Sequence, residues 1–399
     1  MASYRNTSLR GLAAALSCIR TSMRNSWSSE RTTAKQNLYV MGARLNYIVF
    51  IAKTAQLTSM DFKEYVDRYR DSIFNKIMEY LPLKDPMDHY KIVREYSERK
   101  GNYRRPGLLM LGGEMFGAKL DKLLLPAAAM QLSEDWILIH DDVEDNSELR
   151  RGKPALHKIY GNEIAINAGD AAHIVMWKML KDYMLEADHV TGNRVFDKFY
   201  NMLEYTVEGQ YIETNFMSNI KDLSKVSEDF YFRIVHSKTC YYSVYGPMQI
   251  GAMAAGKDEG TINIMKTIGE PAGIAFQIVD DILDMTADES SFGKKRYGDL
   301  FEGKLTLIIH HAYNQATKDE KEKIDAIYKK SRDQKSEDDI NFLIEAINKY
   351  GGVDYAQSVA ESYCKKAKEA VDSSRGLIPD NEYTQTLLSA IEELYSRKK

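Results

Sequence analysis

Three aspartates stand close together at the end of a long apolar run. Asp141, Asp142 and Asp145 follow the segment "AAAMQLSEDWILIH". On a helix, residues i, i+1 and i+4 lie near one face, so these carboxylates would repel one another unless a cation lies among them. Mg²⁺ prefers carboxylate oxygen and typically binds one or two carboxylates together with substrate phosphates. The spacing therefore indicates a site for metal ions and a phosphorylated substrate, although a solvated acidic helix end would have the same spacing.

The same spacing recurs later in the chain. Asp280, Asp281 and Asp284 follow another apolar run in "FQIVDDILDM". Two acidic triads of equal spacing, each ending an apolar helix, are much harder to explain as solvated surface than one triad. We expect the triads to face each other across one cavity and to hold a metal–diphosphate cluster between them.

Basic residues accompany both triads. Arginine binds phosphate oxygens in a bidentate way and lysine acts as a point charge, so a diphosphate site needs such residues close to its metal ions. The candidates lie beside a triad or beside glycine and proline, and they are Arg104, Arg105, Arg150, Arg151, Lys238 with Thr239, Lys294 and Lys304. Any one of them taken alone is more simply explained as a surface charge.

The composition indicates a large helical protein. The chain has 399 residues, of which 44% are hydrophobic and only 8 are proline, and its net charge is −4. The charge excludes the globally basic field of a nucleic-acid-binding protein. No apolar run reaches the ~18–20 residues of a membrane span. The cysteines, Cys18, Cys240 and Cys364, form no metal or disulfide pattern, which favours a reducing compartment.

Residues 1–59 differ from the rest of the chain. They are rich in serine and basic residues, and Glu30 is their only acid. This composition is typical of a transit peptide, and it equally fits an upstream extension before a start at Met60. We expect a catalytic domain at 60–399 and a basic extension at 1–59. The expected location is the cytoplasm, or a mitochondrion or plastid if the extension is a transit peptide.

From Asp61 onward the apolar pattern is helical. Phe62, Tyr65, Tyr69 and Ile73 recur with the period of one helix face. Further helices are predicted at about 103–117, 122–145, 163–186, 190–218, 224–255, 260–287, 302–316, 319–330, 336–349, 353–373 and 381–397. Strand-like alternation is scarce and no linker divides the segment. The prediction is one all-α domain of ten or more helices around a central cavity.

Several of these segments together resemble the trans-isoprenyl diphosphate synthase (polyprenyl synthetase) family. The resemblance rests on "DDVEDNSELRRGKPALH", "FQIVDDILD" and "GDLFEGKLTL", and it extends over about residues 61–399. It implies an all-α bundle around a deep cavity, usually a homodimer. It also implies a short-chain prenyltransferase of the geranylgeranyl or farnesyl diphosphate synthase type.

The resemblance further implies a role for each candidate residue. The aspartates of both triads would bind Mg²⁺, three ions per active site with Mn²⁺ as a substitute, and they are Asp141, Asp142, Asp145, Asp280, Asp281 and Asp284. The allylic diphosphate would be held by Arg150, Lys238, Lys294 and Lys304, with Thr239 and Gln277 nearby. This substrate, dimethylallyl, geranyl or farnesyl diphosphate, would ionise at its C–O bond, and isopentenyl diphosphate would attack the cation and lose a proton.

Two segments depart from the family pattern. The family's "GKRxRP" reads "GNYRRP" here, so Asn102 replaces the lysine that usually binds isopentenyl diphosphate and Tyr103 replaces the following arginine. Glu134 stands where the family often has histidine, seven residues before the first triad. The basic residues that remain for this second diphosphate are Arg105 and Arg151, with Lys100 or Arg104 drawn in to help.

Product length is expected to depend on the residues that floor the cavity below the first triad. Residues four and five positions before Asp141 point into the cavity, and these are Ile137 and Trp136. A tryptophan there would block a long chain, although a core tryptophan facing another helix would look the same in sequence. The prediction is a product of C15 to C20, with geranylgeranyl diphosphate (C20) favoured by the resemblance.

Two other functions stay open from the sequence. A class I terpene synthase would ionise one prenyl diphosphate without a second diphosphate, and Asn102 and Glu134 favour it. A non-catalytic regulatory subunit of a heteromeric synthase would be expected to lose one triad, and this chain keeps both. The retained Arg105, Arg151 and second triad favour the elongating prenyltransferase.

Overall fold

The computed structural model describes residues 60–286 and 296–396, and its first helix begins where the apolar pattern predicts. The side chain of Asp61 accepts hydrogen bonds from the backbone N–H groups of Lys63 and Glu64 at the start of α1. Such a cap satisfies N–H groups that the helix leaves unpaired. The repeating apolar face, represented by Phe62 and Ile73, is buried along the whole helix.

Helices make up nearly all of the regular structure. In chain order the α-helices are α1 (Phe62–Tyr80), α2 (Met87–Glu98), α3 (Arg104–Glu114), α4 (Leu120–Glu144), α5 (Leu156–Tyr160), α6 (Asn162–Glu186), α7 (His189–Asn215), α8 (Glu228–Ile234), α9 (Gly246–Ala254), α10 (Glu259–Thr286), α11 (Gly298–Glu302), α12 (Leu307–Gln315), α13 (Lys318–Tyr328), α14 (Glu337–Lys349), α15 (Gly352–Ser373) and α16 (Glu382–Ser396). Other elements are the strands β1 (Leu149–Arg150) and β2 (Lys153–Pro154), π-helical segments at Phe216–Ile220 and Val235–Tyr245, and 3₁₀ turns at Leu223–Lys225 and Arg332–Gln334. The predicted all-α fold of ten or more helices is confirmed.

The structure differs from the predicted helices in three places. The sequence pattern does not predict α2, because Pro82 and Pro86 mark a break just before it. The stretch predicted as one helix at 224–255 is α8, a π-helical segment and α9. The stretch predicted at 302–316 is interrupted after α11 by Gly303, whose φ is +81°. Glycine adopts this left-handed conformation without steric cost, so the chain turns there and leaves Lys304 outside the helices.

The helices that carry the two triads lie within one compact unit. α4 packs against α6, and α10 packs against α15 and the segment Val235–Tyr245. α3 and α9 approach so closely that a Cβ atom on Gly251 would collide with the carbonyl oxygen of Leu109. Within the described ranges, no helix is both long and apolar enough to cross a bilayer. The predicted extension at 1–59 lies outside the described residues, so the boundary near residue 59 stays a prediction.

A short β-hairpin with a two-residue turn carries the arginine pair. The sequence pattern does not predict this hairpin. β1 and β2 are antiparallel, with Arg150 opposite Lys153. The two residues of the turn, Arg151 and Gly152, have φ values of +53° and +73°. Positive φ at both positions is the conformation of a type I′ turn, in which glycine is favoured at the second position. The tight turn lets Arg150 and Arg151 extend into neighbouring parts of the site.

Candidate active site

A cavity of about 420 Å³ lies between the helices that carry the two triads. Its lining comes from α3, α4, β1, α7, α8, the segment Val235–Tyr245, α10, α11 and the loop that follows α11. Asp141 of the first triad and Asp280 and Asp281 of the second triad belong to this lining. Both triads therefore contribute carboxylates to the same cavity.

The three aspartates of the first triad have different surroundings. Asp141 lines the cavity, with the Nζ atom of Lys238 3.7 Å from its carboxylate. Asp145 lies just past the end of α4 and accepts a hydrogen bond of 3.2 Å from Lys304, which lines the cavity. Asp142 is fully buried and is outside the lining. Positions i and i+4 of the triad are thus placed beside the cavity, whereas position i+1 is turned away from it.

Asp142 lies in a buried hydrogen-bonded cluster. Nε of Arg150 lies 3.0 Å from both oxygens of its carboxylate and donates a hydrogen bond to them. The hydroxyl of Tyr96 donates a further hydrogen bond of 2.5 Å to the same carboxylate. Arg150 itself lines the cavity. A buried arginine held in this way keeps a fixed orientation, because a bidentate pair restricts the planar guanidinium. This geometry favours a role for Asp142 in positioning Arg150 rather than in binding a metal ion directly.

The second triad also divides its aspartates, but here position i+4 is the one outside the cavity lining. Asp280 and Asp281 line the cavity, and Asp281 accepts hydrogen bonds of 2.8 Å from both Tyr231 and Gln277. Asp284 is buried and outside the lining, and it accepts a bond of 3.2 Å from the backbone N–H of Asp299. Asp284 therefore anchors the start of α11, which brings Asp299 to the cavity.

Negative charge is concentrated where the triads meet. Burial raises the pKa of Asp145 to about 7, with a further contribution from the neighbouring Asp141 and Glu302. Burial also raises the pKa of Asp281 to about 7. The pKa of Asp299 is raised well above its ordinary value, first by burial and then by the negative charge of the neighbouring Asp284. Groups of like charge in a low-dielectric site are relieved by cations.

The donor set fits hard divalent cations. The available ligands are carboxylate oxygens, which Mg²⁺ and Ca²⁺ prefer. Within the described parts of the chain, no three acidic, histidine or cysteine side chains are close enough together to hold an ion by themselves. This arrangement suits ions that are shared between a few protein carboxylates and the phosphates of a substrate.

Basic and hydroxyl groups lie among the carboxylates. Lys238 is paired with Glu213, and Lys304 lies 2.7 Å from Glu302 as well as close to Asp145. Thr239 donates a hydrogen bond of 2.7 Å to Gln277. The predicted diphosphate-binding residues that line the cavity are Arg105, Arg150, Lys238, Thr239, Gln277 and Lys304. Lys294 lies outside the described residues.

A second group of charges lies at the Arg105 side of the cavity. Nη1 of Arg105 is 3.0 Å from one carboxylate oxygen of Glu134, and Nη2 of Arg151 is 3.4 Å from the other oxygen. Arg151 is also paired with Asp135 at 2.8 Å. Arg105 additionally donates to the hydroxyl of Ser243 at 2.9 Å. Glu134 therefore bridges the two arginines.

The other basic residues considered for this diphosphate are engaged elsewhere. Lys100 is paired with Asp71 at 2.9 Å and Arg104 with Glu393 at 3.2 Å. Neither residue belongs to the cavity lining, and Asn102 is exposed outside it. That Lys100 or Arg104 is drawn toward the diphosphate stays a prediction, and it would require either residue to leave its acidic partner.

Both predicted chain-length residues line the cavity. Trp136 is buried there, with its ring centroid 4.4 Å from that of His173 on α6 and 5.7 Å from that of His140. Ile137 lies beside it in the lining. Trp136 thus has both features that the sequence left open, since it packs against a neighbouring helix and also forms part of the cavity surface.

Sequence reasoning missed several acidic residues and one tyrosine of this site. Asp299 and Glu302 occur within the segment "GDLFEGK" shortly before Lys304, so their proximity to a candidate lysine was a usable signal. Glu213 and Tyr231 line the cavity from α7 and α8, far in sequence from either triad. No local spacing marks them, because only the packing of α7 and α8 brings them to Lys238 and Asp281.

The chain is similar to known proteins along most of its length. The sequence profile of polyprenyl synthetases matches residues 88–347. The chain is 32% identical to the geranylgeranyl diphosphate synthase of Methanosarcina mazei over 299 residues, which cover 75% of this chain and 88% of that protein. It is 30% identical to the geranylfarnesyl diphosphate synthase of Natronomonas pharaonis over 361 residues, which cover 86% of this chain and 99% of the relative.

A solved structure shows the same fold. The crystal structure of geranylgeranyl pyrophosphate synthetase from Pyrococcus horikoshii matches with a TM-score of 0.74 and 29% identity, covering 87% of this chain and all of that one. The profile spans more than half of this chain, and two relatives at 30% identity or above cover most of their own length. The chain therefore belongs to the polyprenyl synthetase family, and the enzyme class that the family resemblance implied, a short-chain prenyltransferase, is confirmed.

Proposed function

We propose that the protein condenses isopentenyl diphosphate head-to-tail with an allylic diphosphate, giving geranylgeranyl diphosphate. The observation that carries this proposal is the meeting of carboxylates from α4 and α10 at one cavity, interleaved with Arg150, Lys238 and Lys304. An alternation of acidic and basic groups around one space can bind a polyanion together with its metal ions.

Asp141, Asp145 and Asp280 are the residues that we expect to hold Mg²⁺. Asp141 and Asp280 line the cavity, and Asp145 lies next to it beside Lys304. When bound, the metal would neutralise charge on the diphosphate leaving group. We propose three ions per site, with Mn²⁺ able to substitute. Asp142 and Asp284 contribute by fixing Arg150 and α11.

The protein's own residues bind and shield the allylic substrate. Lys238 and Lys304 are partly buried, which acts to lower the pKa of each, but their carboxylate neighbours raise the pKa of both above its ordinary value. The two ammonium groups therefore stay charged and hold the diphosphate as its C–O bond breaks. Apolar residues such as Phe276 and Val235 complete the lining and keep water from the allylic cation. A diphosphate oxygen accepts the proton that is lost.

A product assay tests this function. The full-length protein would be incubated with Mg²⁺, a saturating concentration of labelled isopentenyl diphosphate and, separately, dimethylallyl, geranyl and farnesyl diphosphates. We expect label in an all-trans prenyl diphosphate, with C20 as the main product, and no incorporation when a chelator removes the metal. Absence of label from every prenyl diphosphate would contradict the proposed condensation.

Trp136→Ala is expected to lengthen the product. The tryptophan lines the cavity five residues before Asp141, so its removal frees space of roughly one isoprene unit or more along the path of the growing chain. Chromatography of the dephosphorylated products should show a shift beyond C20. Trp177→Ala is the matched control, because Trp177 packs near His173 but lies outside the cavity lining. An unchanged product from Trp136→Ala would show that Trp136 does not limit chain length.

We also propose that the protein is a homodimer through α6 and α7. These two helices expose large apolar side chains, which are Ile164, Ile166, Ile174, Leu185, Val190, Tyr200, Val207 and Tyr211. Tyr200, Val207 and Tyr211 follow one helix face, since they are seven and four residues apart. Several large exposed apolar residues on one pair of neighbouring helices are typical of an interface between subunits. Val207 also lines the cavity, so a second copy would cover that side of it.

The double substitution Ile174→Glu with Tyr211→Glu is expected to give a monomer. Both side chains are 69% exposed, so the change costs the isolated chain little, whereas an apolar interface would gain buried charges. Light scattering coupled to size-exclusion chromatography would measure the mass. Leu377→Glu is the control, because Leu377 is 66% exposed but lies beyond α15, away from α6 and α7. A wild-type mass of one chain would contradict the dimer.

A further inference from the structure

The positive charges at the Arg105 side of the cavity are already neutralised by the protein itself. Glu134 places one carboxylate oxygen against Arg105 and the other against Arg151, and Asp135 also pairs with Arg151. The side chains of both acids are almost completely shielded from solvent, and Glu134 is 12% exposed. Two arginines and two carboxylates thus form a group with no net charge.

Glu134 is ionised in this group. Burial acts to raise its pKa, but the guanidinium groups of Arg105 and Arg151 outweigh that effect and hold the pKa of Glu134 below its ordinary value. The rest of the group is also satisfied, since Asp135 accepts hydrogen bonds of 2.5 Å from Ser97 and 3.1 Å from Gln131. The charges of Arg105 and Arg151 are thus paired within the protein, although Nε of Arg105 is buried without a hydrogen-bond partner among the described residues.

A second diphosphate would need these arginines. The cavity lining contains four lysine and arginine residues within the described ranges, which are Arg105, Arg150, Lys238 and Lys304. Three of them lie among the aspartates of the triads and serve the first diphosphate. Arg105 is the remaining residue of these four that could bind a second diphosphate. Arg151 is paired with the other carboxylate oxygen of Glu134. Lys100 and Arg104 are paired with other acids, and Asn102 carries no charge.

Binding a polyanion at Arg105 therefore carries a large electrostatic cost. The diphosphate would have to separate Glu134 from an arginine, or else lie beside a buried carboxylate of the same sign. Separating a buried ion pair leaves an uncompensated charge, and like charges in a shielded site repel strongly. The triad end differs, because its excess of carboxylates attracts metal ions that in turn attract phosphate.

We propose that Glu134 weakens binding at the second diphosphate site, so that the protein also turns over an allylic diphosphate alone. The proposal rests on the proposed function for its first step, which is binding and ionisation of the allylic diphosphate at the triads. The allylic C–O bond breaks and its electron pair leaves with the diphosphate. The cation then loses a proton from an adjacent carbon to a diphosphate oxygen, giving a polyene. Isopentenyl diphosphate competes with this outcome only at high concentration.

The first experiment uses the wild-type protein with Mg²⁺ and geranyl, farnesyl or geranylgeranyl diphosphate, each with no isopentenyl diphosphate present. Release of inorganic diphosphate would be measured, and extracts would be analysed by gas chromatography with mass spectrometry. We expect diphosphate release matched by a hydrocarbon. If diphosphate is released only when isopentenyl diphosphate is added, the one-substrate activity is refuted and the elongation function stands. If neither mixture releases diphosphate, both proposals fail.

The second experiment measures the affinity for isopentenyl diphosphate directly. Calorimetric titration would compare the wild type with Glu134→Gln and Glu134→His, and thermal melts would verify folding. Removing one like charge from the Arg105 site should tighten the dissociation constant by roughly tenfold or more. Glu114→Gln is the matched control, because Glu114 is a partly buried acceptor of two tyrosine hydroxyls outside the cavity lining. Equal affinities in wild type, Glu134→Gln and Glu134→His would overturn the proposal.

Discussion

Asp141→Asn is expected to lower kcat/KM for the allylic diphosphate by about 10²–10³-fold, the usual effect of losing one preorganised electrostatic group. Asp141 lines the cavity, and its carboxylate lies 3.7 Å from both Lys238 and Arg150. The amide keeps the shape of the side chain but loses its charge, so a metal ligand is weakened while packing is preserved. Steady-state release of diphosphate at fixed Mg²⁺ concentration would measure the effect.

The metal dependence separates this explanation from a general loss of structure. If Asp141 binds a metal ion, the Mg²⁺ concentration that gives half-maximal rate should rise in Asp141→Asn, and the melting temperature should change little. Asp88→Asn serves as the control, because its side chain is 94% exposed on α2 and outside the cavity. A variant with wild-type activity and metal dependence would remove Asp141 from the proposed set of ligands.

Asp142→Ala is expected to act mainly on stability. The substitution would leave Arg150 buried without its bidentate partner and Tyr96 without its acceptor. Removing one member of a buried ion pair typically costs about 3–5 kcal/mol of unfolding free energy. Urea denaturation followed by circular dichroism would measure this loss.

The neighbouring position provides the comparison. Asp141→Ala removes a carboxylate whose side chain is 20% exposed at the cavity, in a region with an excess of acid. Its unfolding free energy should stay close to that of the wild type even though its activity falls. Equal stability losses in Asp141→Ala and Asp142→Ala would contradict the different roles that their positions indicate.

The sequence was sufficient to predict the helices that carry the chemistry. The apolar period around Phe62 and Ile73 predicts α1, and long apolar runs ahead of Asp141 and Asp280 predict α4 and α10. Such predictions succeed because helix period and burial are local properties of the chain. The recurrence of the same acidic spacing was also a local signal. It correctly predicted that both triads contribute carboxylates to one cavity.

The directions of individual side chains were not accessible from spacing. Asp142, at position i+1 of the first triad, and Asp284, at position i+4 of the second, are turned into buried contacts with Arg150 and α11. The two triads have equal spacing, so the sequence does not distinguish these positions from the ones that line the cavity. Glu134 was recognised as unusual, but its bridge between two arginines depends on a hairpin turn that the sequence pattern does not predict. These features follow from tertiary packing, which sequence periodicity does not record.

The central claim is that carboxylates from α4 and α10 act together on one diphosphate. A crystal structure of the wild-type protein with Mg²⁺ and an inert thio-analogue of farnesyl diphosphate tests it most directly. We expect the diphosphate between Asp141 and Asp280, bridged to them by metal ions and contacted by Lys238 and Lys304, while Glu134 still pairs with Arg105. A diphosphate bound at Arg105, or triads that hold no metal ion in the presence of the analogue, would contradict the claim.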